Sequence, residues 1–251
     1  MIGGTTSGMD GLARPLAKFS LLKRRAGTTR AAFVGHWRTV HVDVLVNKAR
    51  HKAYNKRYVQ NEFLDLAGLD DQRFDGAAQM IPQSAQLVRQ GFQNDPLYAK
   101  YVRPDEHLFL DVAGCVVLYC ETSGVGNVGQ CESPLKAMAL VGRAPGTDPV
   151  EFNVAWNRRT KALLDGASQS GMRAFRQHWV MQGAATRMLD GEVLQDAPAV
   201  VDELFFDDVD AMSALCASEA FIKGFDQCHA LAPGHGSHLF AAREHLVYEG
   251  A

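Results

Sequence analysis

The chain has 251 residues and a formal net charge of −2, with 26 Lys+Arg against 28 Asp+Glu. Hydrophobic residues make up 47% and charged residues 22%, which excludes a disordered tail and a nucleic-acid binder held by net positive charge. No apolar run approaches the ~20 residues that cross a bilayer, and the Gly/Thr/Ser-rich start lacks the basic and apolar regions of a secretory leader.

In chain order, the first predicted strand is Lys18-Phe-Ser-Leu-Leu22, followed by a turn at Arg25-Ala-Gly27. Thr28 or Thr29 can cap a helix that starts near Arg30. Phe33, Trp37, Val40, Val44 and Leu45 recur at helical spacing and form one apolar face. His41 lies on that face one turn after Trp37, and His36 lies at its border. Strands follow at Arg57 to Phe63 and Phe74 to Met80, then a helix-like stretch from Gln83 to Tyr98. Asp105-Glu-His107-Leu-Phe-Leu110 leads into a strand at Cys115 to Tyr119. The five cysteines, at 115, 120, 131, 216 and 228, are odd in number and form no CxxC pair. They read as reduced thiols of a cytoplasmic protein, with Cys115 and Cys120 as small buried groups.

Thr122 to Gln130 has the Gly/Ser composition of a linker. Its Gly124-x-Gly126-x-x-Gly129 matches a dinucleotide fingerprint in letters only, because a strand follows it where the fingerprint needs a helix. The second half repeats the first. Lys136 to Phe152 matches Lys18 to Phe33, with Pro145 as one extra residue in the turn, and Phe152 and Trp156 match Phe33 and Trp37. Strands are predicted at Met172 to Met181 and Val200 to Phe206, and a helix at Val209 to Phe221. Gly236-Ser-His238 then leads into a strand at His245 to Tyr248, as Asp105 to Leu110 does in the first half. Each half is a βαββαβ unit of roughly 110–120 residues, the ferredoxin-like arrangement. The fold class is therefore α+β: two tandem ferredoxin-like repeats forming an intramolecular barrel, at 1–123 and 133–251, joined by a linker at 124–132. A four-stranded sheet with helices on one face leaves the other bare, so the two sheets should cover each other.

The repeat acts as an internal control on the histidines. Ala155 and Thr160 stand where His36 and His41 stand in the first half, so the framework itself does not require imidazoles. The competing reading makes His41 a hydrogen-bonded core residue and His36 a solvated one.

Phe33-Val-Gly-His36-Trp37-Arg38-Thr-Val-His41, with Leu21 to Gly27 before it and Arg57-Tyr58-Val-Gln-Asn61 after it, resembles the EthD-like family of the dimeric α+β barrel superfamily. The second half departs from the motif at both histidines and reads as a degenerate copy. The resemblance implies a cofactor-independent enzyme, because relatives include dehydratases, decarboxylases and isomerases of aromatic, polyketide or lactone substrates, and quinone-forming oxygenases. It implies an aromatic small-molecule substrate in an apolar cavity between sheet and helices, and histidine as the proton carrier, its reference pKa being ~6.5.

The candidate catalytic residues are His41 and His36, Tyr58 as a donor to a developing oxyanion, and His178 on the strand of the second half. Trp37, Arg38, Arg57 and Asn61 are candidates for substrate binding. Tyr58 and Asn61 have opposite parity on their strand, so only one of them can face the cavity. His229, His235, His238 and His245 raise a metal reading through His235-x-x-His238. Their loop context argues against it, and no metal or cofactor is expected. The expected activity is a lyase or isomerase step: dehydration, decarboxylation or retro-aldol cleavage. A cofactor-free oxygenase and a non-catalytic binding barrel are the alternatives. Neither nucleic acid nor membrane is expected as a partner, and the fused pair leaves room for a homodimer.

Overall fold

A computed structural model describes residues 14–69, 72–123, 135–181, 186–187, 197–233 and 235–250. The first half runs β1 (Leu16–Leu22), α1 (Arg30–His36), β2 (Asn55–Phe63), β3 (Gly76–Pro82), α2 (Ala85–Gln90), α3 (Arg103–Phe109) and β4 (Val116–Ser123). The second runs β5 (Leu135–Val141), α4 (Pro149–Asp165), α5 (Ala167–Ser170), β6 (Met172–Val180), the two-residue β7 (Thr186–Arg187), β8 (Val200–Phe206), α6 (Val209–Ala217), α7 (Glu219–Gln227) and β9 (His238–Glu249). The expected linker and its glycine motif lie outside the described residues.

The strands form one antiparallel sheet in the order β1-β3-β2-β9-β5-β8-β6-β4-β7, and a further β1–β4 pairing closes it into a barrel. The halves join edge to edge through β2–β9 and β4–β6. Closure removes the open edges that would otherwise invite aggregation. Alternation along the strands separates two environments. One set of side chains fills the barrel interior, where Phe19 and Leu118 from the first half meet Met138, Val201 and Phe240 from the second. The rings of Phe63 and Phe240 stack there at 4.1 Å. The other set packs outward under the helices as two further cores, one for each half.

Two features of the sequence reading change. The turns Arg25–Gly27 and Ala144–Gly146 are equally long, and each ends on a glycine in the left-handed region, at φ 81° and 80°. No residue is inserted at Pro145. The register therefore places Lys18 level with Ala137 rather than Lys136, and the one-residue offset puts the two lysines on opposite faces of the barrel wall. Asp105 to Leu110 is also not a strand entry. Pro104, at the start of α3, fixes a helical φ, and Asp105 and Glu106 occupy the first turn. The matched stretch of the second half is itself strand, since β9 begins at His238.

Thr29 caps α1 by accepting from the Ala32 amide. The helix does not continue regularly beyond His36. It runs through two wide turns, Trp37–His41 and Val44–Lys48, in which amides bond five residues back. This rotates Val40 out to solvent, 47% exposed, contrary to its expected place on the apolar face, and turns His41 inward beside Trp37. Gly76 on β3 accommodates the Trp37 ring: an added Cβ would lie 2.8 Å from Cζ3 and 3.0 Å from the Asn61 carbonyl oxygen. Gly76→Ala is expected to cost ~1–3 kcal/mol through overpacking. Urea unfolding would measure this, and an unchanged midpoint would contradict the close approach.

Candidate active site

Between the sheet of the first half and its helices lies a small cavity of about 40 Å³. β1 contributes Lys18 and Ser20, β2 contributes Tyr58, and the wide turn of the first helix contributes His41. Tyr98 and Glu106 come from the helical segment that ends in α3, and His51 from the turn before β2. Trp37, Leu45, Met80, Phe92 and Val102 supply apolar wall.

Asp105 organises the imidazoles. Its Oδ2 lies 2.6 Å from His41 Nδ1, and its Oδ1 lies 2.8 Å from His36 Nε2. Burial pushes the carboxyl up, but its bonds to His41 and His36 and the charges of both outweigh this and hold it below the ordinary aspartate value. The ionised carboxylate then accepts from both rings, which fixes His41 with its proton on Nδ1 and leaves the Nε2 lone pair available. Phe109 packs against both imidazoles, with centroids 4.6 Å from His36 and 5.1 Å from His41. His36 does not line the cavity; it binds the outer oxygen of the carboxylate that holds His41.

The Tyr58 hydroxyl accepts from Trp37 Nε1 and from Gln60 Nε2, both at 3.1 Å. Its own proton is left free to donate. Burial raises its pKa to about 12, so it remains a donor at neutral pH. Tyr98 donates to Glu106 Oε2 at 2.7 Å. Glu106 is pushed up by burial, which outweighs the opposing effects of His41, Tyr98 and Lys18. Burial lowers the Lys18 amine to about 8, with Glu106 acting in the other direction. His51 is lowered to about 3 by burial, then by Lys18 and His41. As a neutral ring it accepts from Asn55 at Nε2, which leaves Nδ1–H to donate to the Tyr248 hydroxyl, 2.7 Å away. His51 is therefore a fixed wall element and not a base.

Four candidates from the sequence lie elsewhere. Arg38 points outward and pairs with Glu62 at 2.6 Å. Arg57 pairs with Glu244 at 2.9 Å. Asn61 has the parity opposite to Tyr58 and donates to the Ala77 carbonyl inside the barrel wall. His178 also faces the barrel interior, with Nε2 2.8 Å from Glu203 and Nδ1 2.9 Å from the Thr122 hydroxyl. In the second half, Thr160, level with His41, accepts from Gln177. Arg159 stacks there on Trp156, Phe221 and Phe225. Of the C-terminal histidines, His229 faces Glu151 and His238 lies against Phe74 and Phe240. Among the described residues no group of three or more His, Cys, Asp or Glu is placed to hold a metal, and no helix is long and apolar enough to cross a membrane. The described cysteines, 115, 120, 216 and 228, are free and buried.

Residues 25–113 match the EthD domain family model. A sequence comparison with curated proteins returned no match. Among solved structures, an anthrone oxidase-like protein aligns over 95% of each chain at 10% identity with a TM-score of 0.64. A candidate monooxygenase from Fusobacterium nucleatum subsp. nucleatum aligns over 95% of this chain and 96% of that one, at 6% identity and a TM-score of 0.53. A mutant chlorite dismutase from Candidatus Nitrospira defluvii aligns over 90% of each, at 12% identity and a TM-score of 0.51. At these identities the likeness is one of fold: an α+β barrel.

Proposed function

With an EthD domain at residues 25–113 as the premise, we propose that this chain is a cofactor-independent enzyme that moves a proton on an aromatic or polyketide-like small molecule, with His41 as general base. The observation that carries this reading is the Asp105–His41 pair at the wall of an apolar cavity. Asp105 sets the tautomer and stabilises the imidazolium that forms when Nε2 takes a proton. As the proton leaves a carbon or hydroxyl of the substrate, negative charge develops on an enolate or phenolate oxygen. Tyr58 donates to that oxygen, in a cavity where low dielectric strengthens the bond. In a dehydration the enolate expels the β-hydroxyl, which takes the proton back from His41 and leaves as water. In a retro-aldol cleavage loss of the β-hydroxyl proton breaks the carbon–carbon bond and releases the enolate. In a decarboxylation loss of carbon dioxide from the carboxylate leaves the enolate, and protonated His41 then supplies the proton to carbon. In the same reading the halves are tandem ferredoxin-like repeats divided near 124–132, and the second, with Thr160 and Ala155 in place of imidazoles, closes the barrel without a site of its own.

A second reading follows from the names of two structural neighbours, the anthrone oxidase-like protein and the candidate monooxygenase. The same deprotonation yields an electron-rich anion that dioxygen can attack, giving a quinone. Turnover of hydroxyaryl and polyketide-like ketones, followed by absorbance under nitrogen and under air, separates the two. Equal rates without oxygen uptake are expected. Turnover that requires oxygen, one molecule per product, would replace the lyase reading with the oxygenase.

A further inference from the structure

The proton-transfer chemistry leaves Lys18 without a role. Its side chain lines both the His41 cavity and a second, smaller pocket beside Tyr54, Pro82, Leu87, Val88 and Tyr119. Among the described residues its Nζ makes no hydrogen bond and has no carboxylate oxygen within ion-pair distance; the Tyr119 ring centroid is 5.8 Å away. Glu106 acts on it only at longer range. Lys18 is partly buried, so its ammonium has neither full hydration nor a carboxylate, only the weak attraction of the Tyr119 ring face.

The scaffold does not demand it. The register aligns Lys18, Met80 and Tyr58 in one row across β1, β3 and β2. The row in the same place across β5, β8 and β6 is Ala137, Leu204 and Phe175, all buried in the core. An apolar row therefore serves the same architecture, and the lysine is present only where there is a cavity with His41.

We infer that Lys18 is a specificity residue that binds a substrate carboxylate at the junction of the two cavities. The substrate is then an aryl acid, with its reacting ring against His41 and its carboxylate at Lys18. A carboxylate fits better than a phenol because it is anionic throughout the neutral range and supplies the counter-charge that the lysine lacks. This inference rests on the chamber being the substrate site.

The test is calorimetric titration with 1-hydroxy-2-naphthoate and its methyl ester. Wild type should bind the acid at least about tenfold more tightly than the ester, the strength of one charge-assisted hydrogen bond. Lys18→Met should bring the two within about twofold, and Lys18→Arg should keep most of the preference. Equal binding by wild type, no binding of either probe at millimolar concentration, or a preference that survives in Lys18→Met would overturn it. Should Lys18→Met fail to fold, the acid-to-ester ratio of wild type decides alone. His41→Ala should retain the acid preference, so an active His41→Ala enzyme with that preference would defeat the catalytic reading and spare this one.

Discussion

His41→Ala should lower turnover by at least ~100-fold, with the fold intact. The ring is a small part of the first-half core, and Thr160 already stands at the level position of the second half, so the helix packs without an imidazole. Thermal unfolding within a few degrees of wild type, together with the rate loss, is the expected pair of results. A variant as active as wild type would remove the assignment. A large stability loss matched by an equal loss of folded enzyme would make His41 a structural residue. Asp105→Asn should give an intermediate loss, on the order of 10–100-fold. An asparagine amide has one accepting and one donating side, so it can present N–H to His41 Nδ1, move the ring proton to Nε2 and block the base. His36→Ala should have a smaller effect still, because His36 reaches the chemistry only through Asp105.

The chamber was legible in the sequence only where period and parity speak. Strand parity shows that only one of Tyr58 and Asn61 can face the helices, without saying which, and the Phe33–Trp37 spacing locates the helix that carries His41. Ala155 and Thr160 at the level positions of the second half show that the framework packs without imidazoles there. What failed has physical causes. A regular 3.6-residue period cannot anticipate wide turns, so Val40 was assigned to the core although it faces water. Matching letters between the halves aligned Lys18 with Lys136, and a one-residue slip in a strand exchanges its faces. That slip hid Lys18 as a cavity residue. The letters set Asp105 level with Gly236 at a supposed strand entry, which gives no sign that it holds both imidazoles. The available signal was Pro104 followed by two acids, a helix start. His51, Tyr98 and Glu106 come from segments without clear periodicity, where only tertiary packing brings them to the cavity. Arginines 38 and 57 show the limit of residue type alone, since a neighbouring carboxylate of the protein serves a guanidinium as well as a substrate does.

Glu203→Gln should cost about 1.5–3 kcal/mol, because the buried Lys136 ammonium loses one of its two carboxylate partners among the described residues. Lys136 and Glu203 are both fully buried inside the barrel and bond directly. Lys136 also reaches Glu244 at 2.8 Å, and His178 and Gln79 bind Glu203 at 2.8 and 3.1 Å. Removing the Glu203 charge leaves the fully buried ammonium with Glu244 as the remaining one of these two carboxylates. Lys136→Met/Glu203→Met should cost less than the sum of the single changes, because an apolar pair abandons neither charge. The pH dependence has a definite sign. Burial alone would raise the Glu203 carboxyl, but Lys136, His178 and Arg176 outweigh it and hold it well below its ordinary 4.5. Its contribution to stability is therefore complete above pH ~4.5 and is lost as the pH falls toward the depressed folded-state value. Asp202 has the opposite sign: burial raises it to about 6, so its contribution is largest below its ordinary 3.8 and is lost as the pH rises through 6. Denaturant unfolding from pH 7 to pH 3 should thus show wild type losing stability steeply below pH ~4.5, and Glu203→Gln, already weaker at pH 7, losing much less over that interval. Parallel acid slopes for the two proteins would mean that Glu203 is not the anion that holds the barrel interior together.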